Sequence, residues 1–431
     1  MRAIWHNWAR NQRSSGVAFY RPSNESELVA IVNAACESHQ RVKVVGHGHS
    51  FTDIAVTDGH IVSLENLNKI LHVDTANHEV TVEAGIRLSD LNDKLDAIGY
   101  AMPNLGDIAY QSLAGSISTS THGTGVRLPG LAAQLVRFRL VTANGSILNC
   151  SEEENSEVFH VGRVGLGAIG ILTSVTIRVV PAFRLHAVEE PMRLDYVLEH
   201  LDHLVASNNH FEFFWVPHTG WALTKQNNRT NLEVGRSRRL RTWWTKTFLE
   251  NYAFLAVCSI GRLRPALIPK LAKALPSAGR VENVDKSFKI FTSKRIVKFY
   301  EMEYAIPRSD VKAALSRVRS MIAEKGFKLN FPVEVRFAAA DDIPLSTANG
   351  RESAYIAVHV FKGMEYDEFF REVESIMDDY DGRPHWGKLH FQTLNTLSAR
   401  YPEFQRFTDV RNRLDPEGVF TNDYLRRVLG N

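Results

Sequence analysis

An α+β chain divided into two domains is what this sequence predicts, on three observations. Its 431 residues exceed what one ordinary core accommodates. Up to Pro181 the chain alternates helix-like and strand-like stretches around glycine turns. Beyond it, strand-like runs interleave with helices, the pattern of an antiparallel sheet with helices on one face.

Taken in order, residues 24–37 read as a helix with Ser26 as N-cap, because Leu28, Val29, Ile31, Val32 and Ala35 recur at helical spacing. Residues 41–45 form a strand entering Gly46-His47-Gly48-His49-Ser50. A strand running into a glycine turn exposes backbone N–H groups and builds a cradle for phosphate, so a nucleotide-type cofactor is the first expectation. Strands are predicted within 59–64 and 72–84, then a helix over 88–98. The Gly, Ser and Thr tract 112–125 makes a poor helix or strand but a good wall for a flat or charged ligand.

A hairpin joins 134–142 to 146–150 across Ala143-Asn144-Gly145. Gly165, Gly167 and Gly170 have the G-x-G-x-x-G spacing, but strand-like residues follow where a Rossmann motif needs a helix. Backbone contact with a nucleotide in another fold is the better reading. In the second half, strands are expected at 211–216, 298–305, 333–338 and 354–361, with helices at 309–322 and 366–379.

Composition narrows the function classes. An apolar fraction of 44% and a charged fraction of 23% are those of a soluble globular protein, and a net charge of +3 gives no reason to expect nucleic acid. Cys36, Cys150 and Cys258 are far apart and lack metal-ligand spacing, so neither a disulfide framework nor a metal site is expected. The N-terminus lacks the apolar run of a secretory peptide, and no stretch suits a bilayer span. A cytoplasmic location is the expectation. The basic, aromatic stretch 236–246, from Arg236 to Lys246, reads as a solvated helix face, with peripheral membrane or partner contact as the alternative.

Several motifs then fall into an order. Gly46-His47-Gly48-His49-Ser50, Thr121-His122-Gly123-Thr124-Gly125, Gly165 to Ile171, Phe331-Pro332-Val333-Glu334-Val335-Arg336-Phe337, Arg383-Pro384-His385-Trp386-Gly387-Lys388 and Leu414-Asp415-Pro416 span nearly the whole chain. The ordered set resembles the aldonolactone oxidoreductases of the vanillyl-alcohol-oxidase-type FAD family. That group includes L-gulonolactone oxidases, D-arabinono-1,4-lactone oxidases, alditol oxidases and actinobacterial lactone dehydrogenases.

The resemblance implies a two-subdomain, PCMH-type FAD-binding domain over 1–182 and a cap domain over 183–400, whose antiparallel sheet, flanked by helices, covers the flavin. A segment over 401–431 would pack back on the FAD domain. It implies FAD contacts from Gly46, His47, Gly48, His49, Ser50, Ser116, Thr121, His122, Gly123, Gly125, Gly167, Gly170 and Ile171. The histidine before serine in the first motif, His49, would carry the flavin covalently through its 8α carbon. His47 occupies the slot between the glycines, where many relatives have a small residue. Taken alone, His122 either satisfies backbone groups in its turn or walls the cofactor, and the Ser116 hydroxyl either donates to flavin or substrate or serves its turn.

Side chains cannot accept a hydride, so alcohol oxidation needs an acceptor such as flavin N5, while a base or positive charge handles the substrate hydroxyl. Glu334 and Arg336 stand two apart in a strand and therefore share one face. The resemblance turns that face to the flavin, with Arg336 and Lys388 stabilising developing negative charge and Glu334 orienting or deprotonating a hydroxyl. The alternative is that Glu334 and Arg336 merely pair on an exposed face. Asp53, Glu303, Tyr304 and His359 are further polar groups of the region.

The implied reaction is FAD-dependent oxidation of the C2 hydroxyl of a gulono-, galactono- or arabinono-1,4-lactone, with oxygen or another electron acceptor regenerating the flavin. An alditol or oligosaccharide oxidase is the nearest alternative. A flavin-binding module without turnover, docking a partner through 236–246, is the alternative from another class.

Overall fold

The computed structural model describes residues 3–16, 18–234, 254–274, 279–293 and 295–430. The stretch from Arg236 to Lys246 lies outside the described residues.

The N-terminal half carries two main sheets. A three-stranded parallel sheet pairs Val42–Val45 and Ala18–Tyr20 on either side of His60–Ser63. Helix Glu25–Glu37 packs on it, burying Leu28, Val32 and Ala35. Asn24, not Ser26, caps that helix: its side chain accepts from Glu27 N, two residues earlier than predicted. The second sheet has five antiparallel strands, with Ile171–Arg178 between Leu135–Val141 and Glu79–Glu83. Ile171–Arg178 follows the Gly165–Gly170 turn directly, so no helix opens there.

The small-residue tract departs from expectation. Leu113–Ser118 is a helix, capped by Ser112 accepting from Gly115 N and buried through Leu113, Ala114 and Ile117. Packing of those apolar residues outweighs the weak helix propensity of their Gly and Ser neighbours.

After Pro181 the chain enters an eight-stranded sheet. Among its strands are His210–Trp215, Phe299–Pro307, Val333–Ala338 and Ser353–Phe361, close to the predicted ranges. Arg184–Arg193, Trp221–Thr230 and Val281–Lys286 are further members that periodicity did not reveal. Their runs are polar, as in Lys225-Gln226-Asn227-Asn228-Arg229, and lack the apolar alternation that marks a half-buried strand.

Helices Val311–Lys325 and Asp367–Asp378 cover one face of this sheet, burying Phe213, Met302, Val335 and Ile356 against Leu315, Val318, Phe370 and Met377. The opposite face looks toward the N-terminal half. Near the C-terminus, Phe404–Leu414 and Asp423–Leu429 place Phe407, Val410, Tyr424 and Leu425 in the same core as Val80, Leu91, Phe138 and Val175. Among the described residues no helix is long and apolar enough to cross a membrane.

Candidate active site

Strand alternation creates the charged wall. On Val333–Ala338, Val333, Val335 and Phe337 point to the helices, so Glu334 and Arg336 must point the other way. Met302, Tyr304 and Ile306 likewise leave Glu301 and Glu303 on that face, and Ala354, Ile356 and Val358 leave Tyr355 and His359 there. Register sets their contacts: Glu301 lies opposite His359, Arg336 opposite Tyr355, and Glu212 opposite Lys225.

These charges are buried but paired. Arg336 makes an ion pair with Glu334 and lies 2.9 Å from Glu212 through Nε. Glu334 and Arg336 therefore do pair with each other, yet at 7% and 9% exposure they are not on an open surface. Burial, reinforced by nearby Glu212, pushes the Glu334 carboxyl up. Surrounding carboxylates hold the Arg336 guanidinium firmly charged, against the opposing effect of burial. Glu303 meets His122 Nε2 at 3.2 Å. Although burial opposes it, the positive charge of Lys388 beside Glu301 brings that carboxyl down to about 2.

The wall lines a cavity of about 1770 Å³ that includes Thr121, His122, Glu334, Arg336, His385 and Lys388. Asp107, Glu212, Lys225, Glu301 and Arg295 were not singled out in the sequence. Their partners are distant in the chain, as when Arg295 donates to Asp107, so only the fold reveals the pairs. The alternation of Glu301 and Glu303 was the one available signal.

A smaller cavity, about 160 Å³, is lined by Gly46, His47, Gly48, His49 and Ser50 with Ala114, Gly115, Gly167, Gly170 and Ile171. Gly48 has φ of +72°, which favours glycine, and a Cβ on Gly46 would stand 2.5 Å from Ser112 Oγ, which would have to turn away. Gln111 lines both cavities.

The His49 loop is joined to the C-terminal motif. Phe51 N donates to Gly387 O at 2.7 Å, Thr52 Oγ1 donates to Trp386 O, and Lys388 Nζ lies 5.2 Å from the Phe51 ring centroid. From the other side Trp8 stacks on His49 with ring centroids 5.7 Å apart. Burial, aided by the Lys388 charge, lowers the His49 imidazole to about 4, leaving it neutral at neutral pH. His47 differs: Arg87 Nε donates to its Nε2, which spends that lone pair, and its buried Nδ1 has no partner.

Other predicted contacts separate. Thr121 and His122 line the large cavity, and the Thr121 hydroxyl is buried without a partner. The His122 ring stacks on Tyr355 at 3.5 Å between centroids. Ser116 is fully buried, its hydroxyl donates to Leu113 O inside the helix, and it lines neither cavity. A Cβ on Gly123 would meet Asn104 Oδ1 at 2.5 Å, and Gly125 N donates to Phe337 O. Tyr304 faces the helices, where it bonds Glu374, and Asp53 lies toward Arg427. His390 meets Tyr424 Oη at 3.0 Å in the core.

The lining of the small cavity suits one part of an extended nucleotide cofactor: its glycines admit close approach, and His49 and the unpartnered, buried Nδ1 of His47 stand among them. The comparisons agree. Residues 17–151 match the FAD binding domain family, and residues 175–428 match the D-arabinono-1,4-lactone oxidase family. Over 431 residues the chain is 44% identical to L-gulono-1,4-lactone dehydrogenase of Mycobacterium tuberculosis, covering 100% of both chains. It is 37% identical to L-gulonolactone oxidase of Bos taurus, covering 99% of this chain and 98% of that one. In fold it is similar to a cholesterol oxidase from B. sterolicum, with a TM-score of 0.82 at 18% identity, covering 100% of this chain and 97% of that one. The chain therefore belongs to the D-arabinono-1,4-lactone oxidase family of FAD-binding oxidoreductases.

Proposed function

We propose that this enzyme oxidises the C2 hydroxyl of a sugar-derived 1,4-lactone of the gulono, galactono or arabinono type. When bound, FAD supplies the two-electron acceptor that side chains lack. Residues 1–182 would hold it, with Gly46, Gly48, Gly167, Gly170 and Ile171 lining its slot and His49 as the covalent tether. Residues 183–400 form the substrate-binding cap, and 401–431 brace the FAD domain from behind.

One observation carries the reading: the His49 loop is hydrogen-bonded to the turn that presents Lys388, which shares one cavity with Glu334 and Arg336. Arg336 and Lys388 place positive charge where negative charge develops on the substrate oxygen. Glu334, raised by burial, accepts the hydroxyl proton more readily than an ordinary carboxylate does. Burial of Glu334 and Arg336 in the cavity wall strengthens these interactions.

The test is the visible spectrum of the purified protein under anaerobic conditions. L-gulono-1,4-lactone should bleach the flavin band. Bleaching by alditols alone would move the substrate class, and a band that neither reduces would favour a flavin-binding module. Stopped-flow reoxidation with air against an artificial acceptor distinguishes oxygen from another electron acceptor. Denatured protein should retain flavin fluorescence on a gel, and His49→Ala should lose it while His47→Ala keeps it. Free release of flavin from the unmodified protein would remove the tether.

A further inference from the structure

His122, His359 and His385 all line the large cavity, and the first two face carboxylates: His122 Nε2 lies 3.2 Å from Glu303, and His359 Nε2 lies 3.5 Å from Glu301. His385 differs. It is 4% exposed, and among the described residues its Nε2 has neither a hydrogen-bond nor an ion-pair partner. A buried polar atom in that state is costly unless a ligand satisfies it.

The fold decides what that nitrogen carries. Gly387 N donates to His385 Nδ1 at 3.0 Å, and a backbone N–H can only donate, so Nδ1 is the lone pair and the hydrogen of the neutral ring sits on Nε2. The peptide supplying this N–H is held at its other end, because Trp386 O accepts from Thr52 Oγ1 at 3.2 Å and from Tyr424 Oη at 3.0 Å. The main chain of His385 is held as well: its N–H donates to Glu303 O, and its carbonyl accepts from Lys388 N. Burial lowers the imidazole to about 4, with Lys388 and His122 adding to the shift and Glu303 and Glu301 opposing it, so the ring is neutral at neutral pH. The turn that carries the Lys388 ammonium thus also carries a fixed, uncharged N–H donor.

In the lactone oxidation proposed above, Arg336 and Lys388 serve the oxygen at C2. On the adjacent carbon a 1,4-lactone carries an oxygen of another kind, a carbonyl that only accepts. We propose that His385 is a specificity-determining residue whose Nε2–H donates to the C1 carbonyl oxygen of the lactone. The inference rests on the lactone reading and adds how the site tells a lactone from a polyol. A neutral donor holds the carbonyl while leaving both cations to the C2 oxygen. A substrate without that carbonyl leaves the buried N–H unpaired, which is how a polar site rejects an analogue that lacks its partner.

The test compares two ligands on the holoenzyme: L-gulono-1,4-lactone, and the 1,4-anhydroalditol of the same configuration, in which a CH2 replaces the C1 carbonyl. Apparent affinities are read from anaerobic flavin reduction, with the second compound as a substrate or as a competitor of the first. The preference for the lactone should fall about tenfold in His385→Ala and largely return in His385→Gln, whose amide restores an N–H donor. The flavin spectrum should be unchanged in both. An unaltered preference in His385→Ala would overturn the proposal, and a shifted flavin spectrum alongside it would assign the N–H to the flavin instead. Loss of flavin from both variants would make His385 structural and overturn it too. If the lactone fails to reduce the wild-type flavin, the lactone reading falls and this inference with it, whereas normal reduction with an unaltered preference sinks this inference alone.

A second measurement needs no turnover. In holoenzyme labelled with 15N-histidine, the ring signal missing from His385→Gln should be neutral at pH 7 and protonated at Nε2. A ring protonated at Nδ1, or at both nitrogens, would remove the donor on which the proposal stands.

Discussion

The two faces of the eight-stranded sheet use the same strands and are buried alike, yet their chemistry is opposite. Strand Val333–Ala338 is buried at all six positions, with Val333, Val335 and Phe337 among the helices and Glu334 and Arg336 in the cavity. The helix face is stabilised by removing apolar area from water. The cavity face tolerates burial because each charge has a partner, and such pairs contribute little beyond offsetting their own desolvation. One face therefore makes the fold and the other spends fold stability on positioning charge for chemistry.

Arg336→Ala should have the largest effect, because it strands both Glu334 and Glu212 without their guanidinium. Urea unfolding should show a loss of about 3–5 kcal/mol. In the folded fraction, flavin reduction should fall about 10²–10³-fold, as when one donor to a developing oxyanion is removed. A variant that loses stability but reduces flavin normally would make the cavity face structural only.

On the helix face, Phe213→Ala creates a cavity beneath a fully buried ring, at a cost of about 3–4 kcal/mol. The two substitutions should differ in kind: Phe213→Ala unfolds earlier in urea, yet the protein that remains folded reduces flavin at the wild-type rate. Equal slowing in both variants would break the distinction between the faces.

That distinction was partly legible in the chain. The alternation in Val333-Glu334-Val335-Arg336-Phe337 is local, so the shared face of Glu334 and Arg336 needed only strand geometry. The glycine turn was legible for the same reason, since the positive φ at Gly48 is a property of the turn itself. What was illegible depends on distant partners. The pairs Lys388 with Glu301 and Arg295 with Asp107 join positions far apart in sequence, and the role of each side chain is set by the charge it meets. The helix at 113–118 was illegible for the opposite reason: its Gly and Ser residues are weak helix formers, and burial of Leu113, Ala114 and Ile117 decides the conformation.

The acids of the cavity face sharpen the comparison further, because their shifts have opposite signs. Glu301 is lowered from 4.5 to about 2, so its contribution is fully present above 4.5 and is lost as pH falls through about 2. Glu301→Gln should therefore cost roughly 3 kcal/mol at pH 7 and progressively less below pH 4. Urea midpoints measured from pH 7 down to pH 3 check this. A penalty that does not shrink in acid would mean that packing, rather than the Lys388 pair, holds Glu301.

Glu334 gives the smallest effect and the opposite sign. Its folded carboxyl is raised, so whatever it contributes is present below the unfolded value and is lost as pH rises through the folded one. At neutral pH the ionised form is a net cost of burial beside Glu212, even with Arg336 adjacent. Glu334→Gln removes that charge while Glu212 still pairs with Arg336, so stability at pH 7 should rise slightly, by up to about 1 kcal/mol. Flavin reduction should fall in the same variant, because an amide cannot accept the hydroxyl proton. A gain in stability joined to a loss of rate is the signature of a residue kept for chemistry at the expense of the fold. A loss of both would place Glu334 among the structural pairs with Glu301.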